Sequence, residues 1–292
     1  RTTRRFRVLC RRFSGPIRRL RNPQRCRHKQ EDPIRKIMET VYQIGNRAFR
    51  LDQQKAREAY SAKTVINGRT STAFNLLPLR YGWAYDQYRE MKGNHWGPIG
   101  ADVPMDIDVD QWHSDALSPH DRWLVKMVVG CQLSMQGGEQ AEIQQVIREL
   151  VTAPELKLVL GREVHQENLR TEAVLFMLFS LGLNPHECEA IFKSSQLKVA
   201  AAEVRDHGLL SRKTDLRKSE NRRLLAREIF HFGLCEKGLR YCTLFAAFLD
   251  TDKSHMPGTR KLLSCILRDE ASRIEVLRHL LLELLEENAE LK

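Results

Sequence analysis

Residues 173–183, AVLFMLFSLGL, and 239–249, LRYCTLFAAFL, are apolar around almost the whole circumference of a helix. A helix with so little polar surface has no face to offer water, so other helices must enclose both segments. The rest of the chain can supply that enclosure. Apolar spacing predicts helices over 118–136, 139–151, 154–183, 185–206, 215–251 and 256–290, with Gly137-Gly138, Asn184-Pro185 and Pro257-Gly258 as breakers between them. Upstream, Asp32-Pro33 reads as a helix start, and Ile34, Ile37, Met38, Val41 and Ile44 follow at helical spacing, which predicts an amphipathic helix over 33–49. A short helix is expected at 53–62 and another from Arg80 to Lys92, closed by the turn Gly-Asn-His-Trp-Gly-Pro. No alternating strand pattern competes, and no apolar run approaches the length that crosses a bilayer. The expected fold class is therefore all-α, a helical bundle.

Charge divides the chain. The net charge is +11, yet residues 1–30 alone hold eleven arginines, one lysine and no acid, so the remainder sums to about −1. A segment of that composition has too little apolar surface to offset its ordering entropy, and an extended basic arm over 1–32 is expected. Arg4, Arg5, Arg7, Arg11, Arg12, Arg18, Arg19, Arg21, Arg25 and Arg27, interleaved with Phe6 and Phe13, suit RNA: guanidinium forks grip phosphates and stack on bases. Acidic protein and anionic lipid are the alternatives, and an organelle transit segment has the same composition. The domain reading is an arm at 1–32, a helix and linker at 33–72, and a helical domain at 73–292. Seven cysteines, an odd number without CxxC spacing, point to reduced thiols, and Cys10, Cys26 and His28 match no common zinc spacing.

Five charged residues lie beside the segments that must be buried: Glu167, Arg170, Lys237, Glu270 and Arg273. An unpaired buried charge is strongly destabilising, so these need partners or water. His165, His186 and His231 read as surface or helix-end residues rather than ligands.

The order of LPLRYGWAYDQY, HWGPIGADVPMDIDVDQW, LSPHDRWLVK, HQENLRTEAV, EKGLRYCTLFAAFL and MPGTRKLLSCILRDEASR resembles the small, radical-bearing subunit of class I ribonucleotide reductase, a ferritin-like helical protein. The resemblance runs from about Leu76 onward. It implies a di-iron or dimanganese site made of an aspartate, two Glu-x-x-His pairs and a lone glutamate, because i and i+3 side chains share a helix face. Position by position, Asp108 matches the aspartate and Glu167 and Glu270 match the paired glutamates, but Arg170 and Arg273 stand where the histidines belong. Lys237 falls on the lone glutamate, with Glu236 turned away from it, and Val174 falls on the radical tyrosine. Arginine and lysine have no free lone pair for a metal. The expectation is a salt-bridge network of Asp108, Glu167, Arg170, Lys237, Glu270 and Arg273, three anions against three cations, with no cofactor. The family also continues through further helices to a tail that docks on the catalytic subunit, whereas this sequence ends at Lys292.

These readings lead to an expected non-catalytic pseudoenzyme, an accessory subunit of a mitochondrial ribosome, matrix-located, with the arm on rRNA, neighbouring proteins as partners and no small-molecule substrate. A supernumerary subunit of a respiratory or ATP synthase complex is one alternative. A metal-free ribonucleotide reductase radical subunit is another: lysine at the lone-glutamate position belongs to that pattern, with Tyr241 as the nearest substitute radical carrier. Whether the family's homodimer persists is left open.

Overall fold

The computed structural model describes residues 41–44, 46–50, 52–69, 76–100, 102–136, 139–194, 210–231, 233 and 240–291. The basic arm and the arginines assigned to RNA lie outside the described residues, as do Lys237, Cys10, Cys26 and His28.

The chain begins here with a two-stranded antiparallel hairpin, β1 (Val41–Ile44) and β2 (Arg47–Arg50), in the register Val41↔Arg50 to Ile44↔Arg47. That corrects the expected helix over 33–49 in its second half. Val41 and Ile44 satisfy a helical spacing, but Gly45 and Asn46 are a two-residue hairpin sequence set between β-branched and aromatic residues, and the turn chemistry prevails.

Ten α-helices follow among the described residues: α1 (Gln53–Ala62), α2 (Gly82–Gly93), α3 (Met105–Trp112), α4 (Pro119–Gln136), α5 (Glu139–Leu150), α6 (Pro154–Leu181), α7 (Pro185–Ser194), α8 (Ser219–Phe230), α9 (Arg240–Leu249) and α10 (Pro257–Glu287). Local chemistry sets their ends. Ser118 and Asp121 form a capping box at α4: the Ser118 hydroxyl accepts the Asp121 N–H at 3.1 Å, and the Asp121 carboxylate accepts the Ser118 N–H and hydroxyl at 3.2 and 2.7 Å. α6 starts on Pro154 and stops at Gly182, whose φ of +61° lets the chain turn left-handed while Leu183 N–H closes on the Leu178 carbonyl at 3.0 Å. α3 falls in a stretch whose composition gave no clear reading. The single helix expected over 215–251 is described as α8 and α9, with 234–239 between them outside the described residues.

α6 and α10, of 28 and 31 residues, are the long central members. α2 and α4 pack on α6, α9 spans α4 and α10, and α8 lies on α10. Two apolar cores result. One joins the C-terminal half of α6 (Ala173 to Leu181) to the start of α10 (Leu262 to Ile266), with α4, α7 and α9 around them. The other joins the N-terminal half of α6 (Leu156 to Leu160) to the end of α10 (Val276 to Leu284), with α5 and α8. The two helices therefore run antiparallel, and the stretch where they cross between the cores is polar: Glu163, Gln166 and Arg170 face Asp269, Glu270 and Arg273, all buried. Among the described residues, no helix is long and apolar enough to cross a membrane.

Candidate functional site

The polar seam is built by two copies of one local pattern. Glu167 and Arg170 are three apart on α6, and Glu270 and Arg273 are three apart on α10, so each pair shares a helix face. Antiparallel packing then sets the acid of one helix against the base of the other. Arg170 Nη1 lies 3.1 Å from Glu167 Oε1, Arg273 Nη1 lies 3.5 Å from Glu270 Oε1, and Arg273 Nη2 lies 2.9 Å from Glu167 Oε2. Arg170 Nη2 completes the circuit by pairing with Glu270 Oε1. The result is a closed ring of alternating charge, Glu167–Arg170–Glu270–Arg273, neutral as a unit. Arg170, Glu270 and Arg273 are each only 1% exposed. Glu167 is the one member with appreciable contact with solvent, its side chain 20% exposed.

Asp108 is committed elsewhere. From α3 it turns both carboxylate oxygens onto the start of α10, accepting the N–H groups of Gly258 at 2.7 Å and Thr259 at 2.6 Å. It caps a helix whose first N–H groups have no partner within the helix, and it stands at the end that favours negative charge. Burial pushes its carboxyl above the usual range, against the pull of those hydrogen bonds and of Arg260. Of the six residues expected to form one network, four thus meet in the ring, Asp108 serves as a cap, and Lys237 lies outside the described residues. Val174, one helical turn beyond Arg170, is 1% exposed and sits in the first apolar core.

Sequence reading missed the layer behind the ring. Asp269, next to Glu270 and 4% exposed, accepts the Trp96 indole N–H at 2.8 Å. Burial pushes its carboxyl up, while Trp96, Arg268, Arg170 and Arg162 draw it down, so the ring's own cation is felt there. His165 stacks on His95 with centroids 5.8 Å apart, and burial beside Arg162 holds its imidazole below the usual range. A second buried ion pair was also missed. The Lys63 ammonium, 3.4 Å from Glu155, donates to the carbonyls of Leu76 and Pro78 at 2.8 and 2.6 Å, while Glu155 accepts the N–H groups of Arg80 and Tyr81 where α2 begins. No single-residue signal marks either layer, because the partners are far apart in sequence.

The pair of metal ions that the resemblance implies needs carboxylates and neutral imidazoles around it. Here the two nitrogen positions carry guanidinium groups, permanently protonated and without a donor lone pair, and each of the aspartate's oxygens already accepts a backbone N–H. These residues do not fit that metal pair.

Comparison with known proteins places the chain. The profile of the family described as "Ribonucleotide reductase, small chain" matches residues 73–292. The Ribonucleoside-diphosphate reductase subunit beta of Chlamydia pneumoniae is 25% identical over 248 residues, covering 82% of this chain and 70% of that protein. The subunit beta of Halalkalibacterium halodurans is 23% identical over the same length and the same shares. Among solved structures, a putative class I ribonucleotide reductase from Bacillus halodurans superposes with a TM-score of 0.59 at 20% identity, covering 72% of this chain and 73% of that one. The ribonucleotide reductase Rnr4 homodimer from Saccharomyces cerevisiae gives 0.51 at 14% identity, with 80% and 76% covered. These structural likenesses show the ferritin-like fold.

The same findings correct two expectations. The relatives are subunits of a reductase, so the inference from Arg170, Lys237, Arg273 and Val174 to a protein outside catalysis does not stand. The family matched is that of a reductase chain, and the mitochondrial ribosome and respiratory-complex readings fall with it. The basic composition belongs to residues 1–30, whereas the family pattern is carried by the 220 residues from 73 to 292. With the profile matched from residue 73 through 292 and the long helices in the family's order, the chain belongs to the ribonucleotide reductase small-chain family.

Proposed function

We propose that this chain is a small-chain component of a ribonucleotide reductase that works beside the reductase's catalytic chain without a metal pair held by Glu167 and Glu270. The observation that carries this reading is the placement of those two carboxylates, on facing turns of α6 and α10 at the family's positions, with their charge balanced by Arg170 and Arg273. The ring keeps the frame closed at the seam where the family places its ions. Val174 is a hydrocarbon and carries no radical, so in this reading the oxidising equivalent resides on another residue.

The test is reconstitution. The full chain is mixed with the catalytic chain from the same source, and conversion of ribonucleoside diphosphate to the deoxy product is followed, with electron paramagnetic resonance of the freshly purified complex. Reduction that depends on this chain, together with an organic radical signal, supports the reading. Absence of both complex formation and added turnover refutes it.

A further inference from the structure

We infer that Arg170 and Arg273 take over the structural work of a metal pair: they are built-in cations that clamp α6 to α10, so the fold closes at this seam whatever the metal supply. Three observations carry the inference. The two guanidinium groups stand at the i+3 positions of both helices, each bridging its own helix's glutamate and the opposite helix's glutamate. Both are buried to 1% exposure, in the polar stretch between the two apolar cores. The aspartate that would complete an ion's shell accepts the backbone N–H groups of Gly258 and Thr259, so the start of α10 is capped without an ion as well.

A divalent pair contributes positive charge and directional bonds to several carboxylates. Two forked guanidinium groups supply the same charge sign and the same bridging, and they cannot dissociate. Cation and fold then arise from one chain, where a metallated relative must fold and be loaded.

The clamp is also convertible. Replacing both arginines with histidine leaves two carboxylates and two imidazoles on the same faces, four donors of the kind a single zinc or manganese ion accepts. The inference shares the ring geometry with the proposed function but not its catalytic partner: failed reconstitution leaves the clamp standing, whereas tightly bound metal overturns the clamp and the metal-free part of that role together.

The full-length chain is produced in medium supplied with iron and manganese, its metal content is measured by mass spectrometry, and its unfolding temperature is recorded with chelator and with excess Mn(II) or Zn(II). The expected result is far less than one metal per chain and an unchanged unfolding temperature. One or more tightly held ions per chain, or a temperature that chelator lowers by several degrees, overturns the inference. The Arg170→His/Arg273→His variant is expected to unfold earlier when metal-free and to recover on taking up one divalent ion. A metal-free double variant as stable as the parent overturns the clamp, and a destabilised one that metal does not restore overturns the equivalence of guanidinium and ion. If that variant does not accumulate, Arg273→Gln in the full chain serves instead: a loss that no metal rescues supports the clamp, and an unchanged unfolding temperature overturns it.

Discussion

Arg170→Met tests the ring most directly, because the substitution keeps length and apolar stem while deleting the charge. In the parent, Arg170 touches Glu167 and Glu270, and of the ring's two cations Arg273 is left against both acids once it is gone. The two acids then fare differently. Glu167, with a side chain 20% exposed, can turn part of its charge to water, whereas Glu270, at 1%, cannot. Removing one partner of a buried pair costs about 3–5 kcal/mol, most of it the penalty on the charge left behind. At about 2–4 °C per kcal/mol for a chain of this order of size, the unfolding temperature should fall by about 6–20 °C. Adding Glu270→Gln should return much of that loss, so urea denaturation of the two single variants and the double should give a coupling of about 2 kcal/mol or more, within the range seen for residues in one network. Glu270→Gln alone should cost more than Glu167→Gln. A loss below about 1 kcal/mol for Arg170→Met, or additive effects in the cycle, would refute the ring as a coupled buried unit.

Three further outcomes are expected. In Gly130→Ala the new methyl would overlap the Cys188 carbonyl, where α4 and α7 approach backbone to backbone, so the loss of stability should reach or exceed the ~1–3 kcal/mol typical of overpacking, measured by denaturant titration. Trp96→Phe removes the indole donor from buried Asp269 and should cost about 1–3 kcal/mol, with most of it recovered in Trp96→Phe/Asp269→Asn. Ser118→Ala should cost about 1 kcal/mol through the lost cap and move the Asp121 carboxyl up toward its ordinary value in an NMR titration. The Ser118 hydrogen bonds hold Asp121 below that value, so its contribution is present above the unfolded-state pKa and is lost as pH falls through the lower folded one. The acid-side loss should therefore shrink in the Ser118→Ala protein.

Side-chain patterns repeated along a helix could be read from the sequence. The two Glu-x-x-Arg pairs were legible because i and i+3 must share a face, and the apolar segments at 173–183 and 239–249 required a bundle around them. The hairpin at 41–50 was misread because Val41 and Ile44 satisfy two periodicities at once, and only the Gly-Asn pair between the strands decides for the turn. Asp108 was assigned to the charge network by its position, but its partners are the N–H groups of residues 150 and 151 positions away, and backbone donors leave no mark on composition. Trp96 and Asp269, 173 apart, pair only because α10 passes the turn after α2.

The position of the ring explains why this exchange of chemistry is compatible with one fold. α6 is apolar over its first turns and again over its last, and α10 likewise, but the middle of each carries charged and amide groups that lie between the two cores. Such a seam cannot be left as bare carboxylates, since two acids facing each other without counter-charge would repel and remain desolvated. If both acids are to stay ionised there, positive charge must stand in directional contact with Glu167 and Glu270, and physics does not specify its source. Ions held by histidines meet the demand, and so do guanidinium groups on the same i+3 positions. Within the ring a single arginine would face two acids, which is why the two substitutions are expected to act as a pair: each of Arg170 and Arg273 bridges both glutamates, and together they balance them.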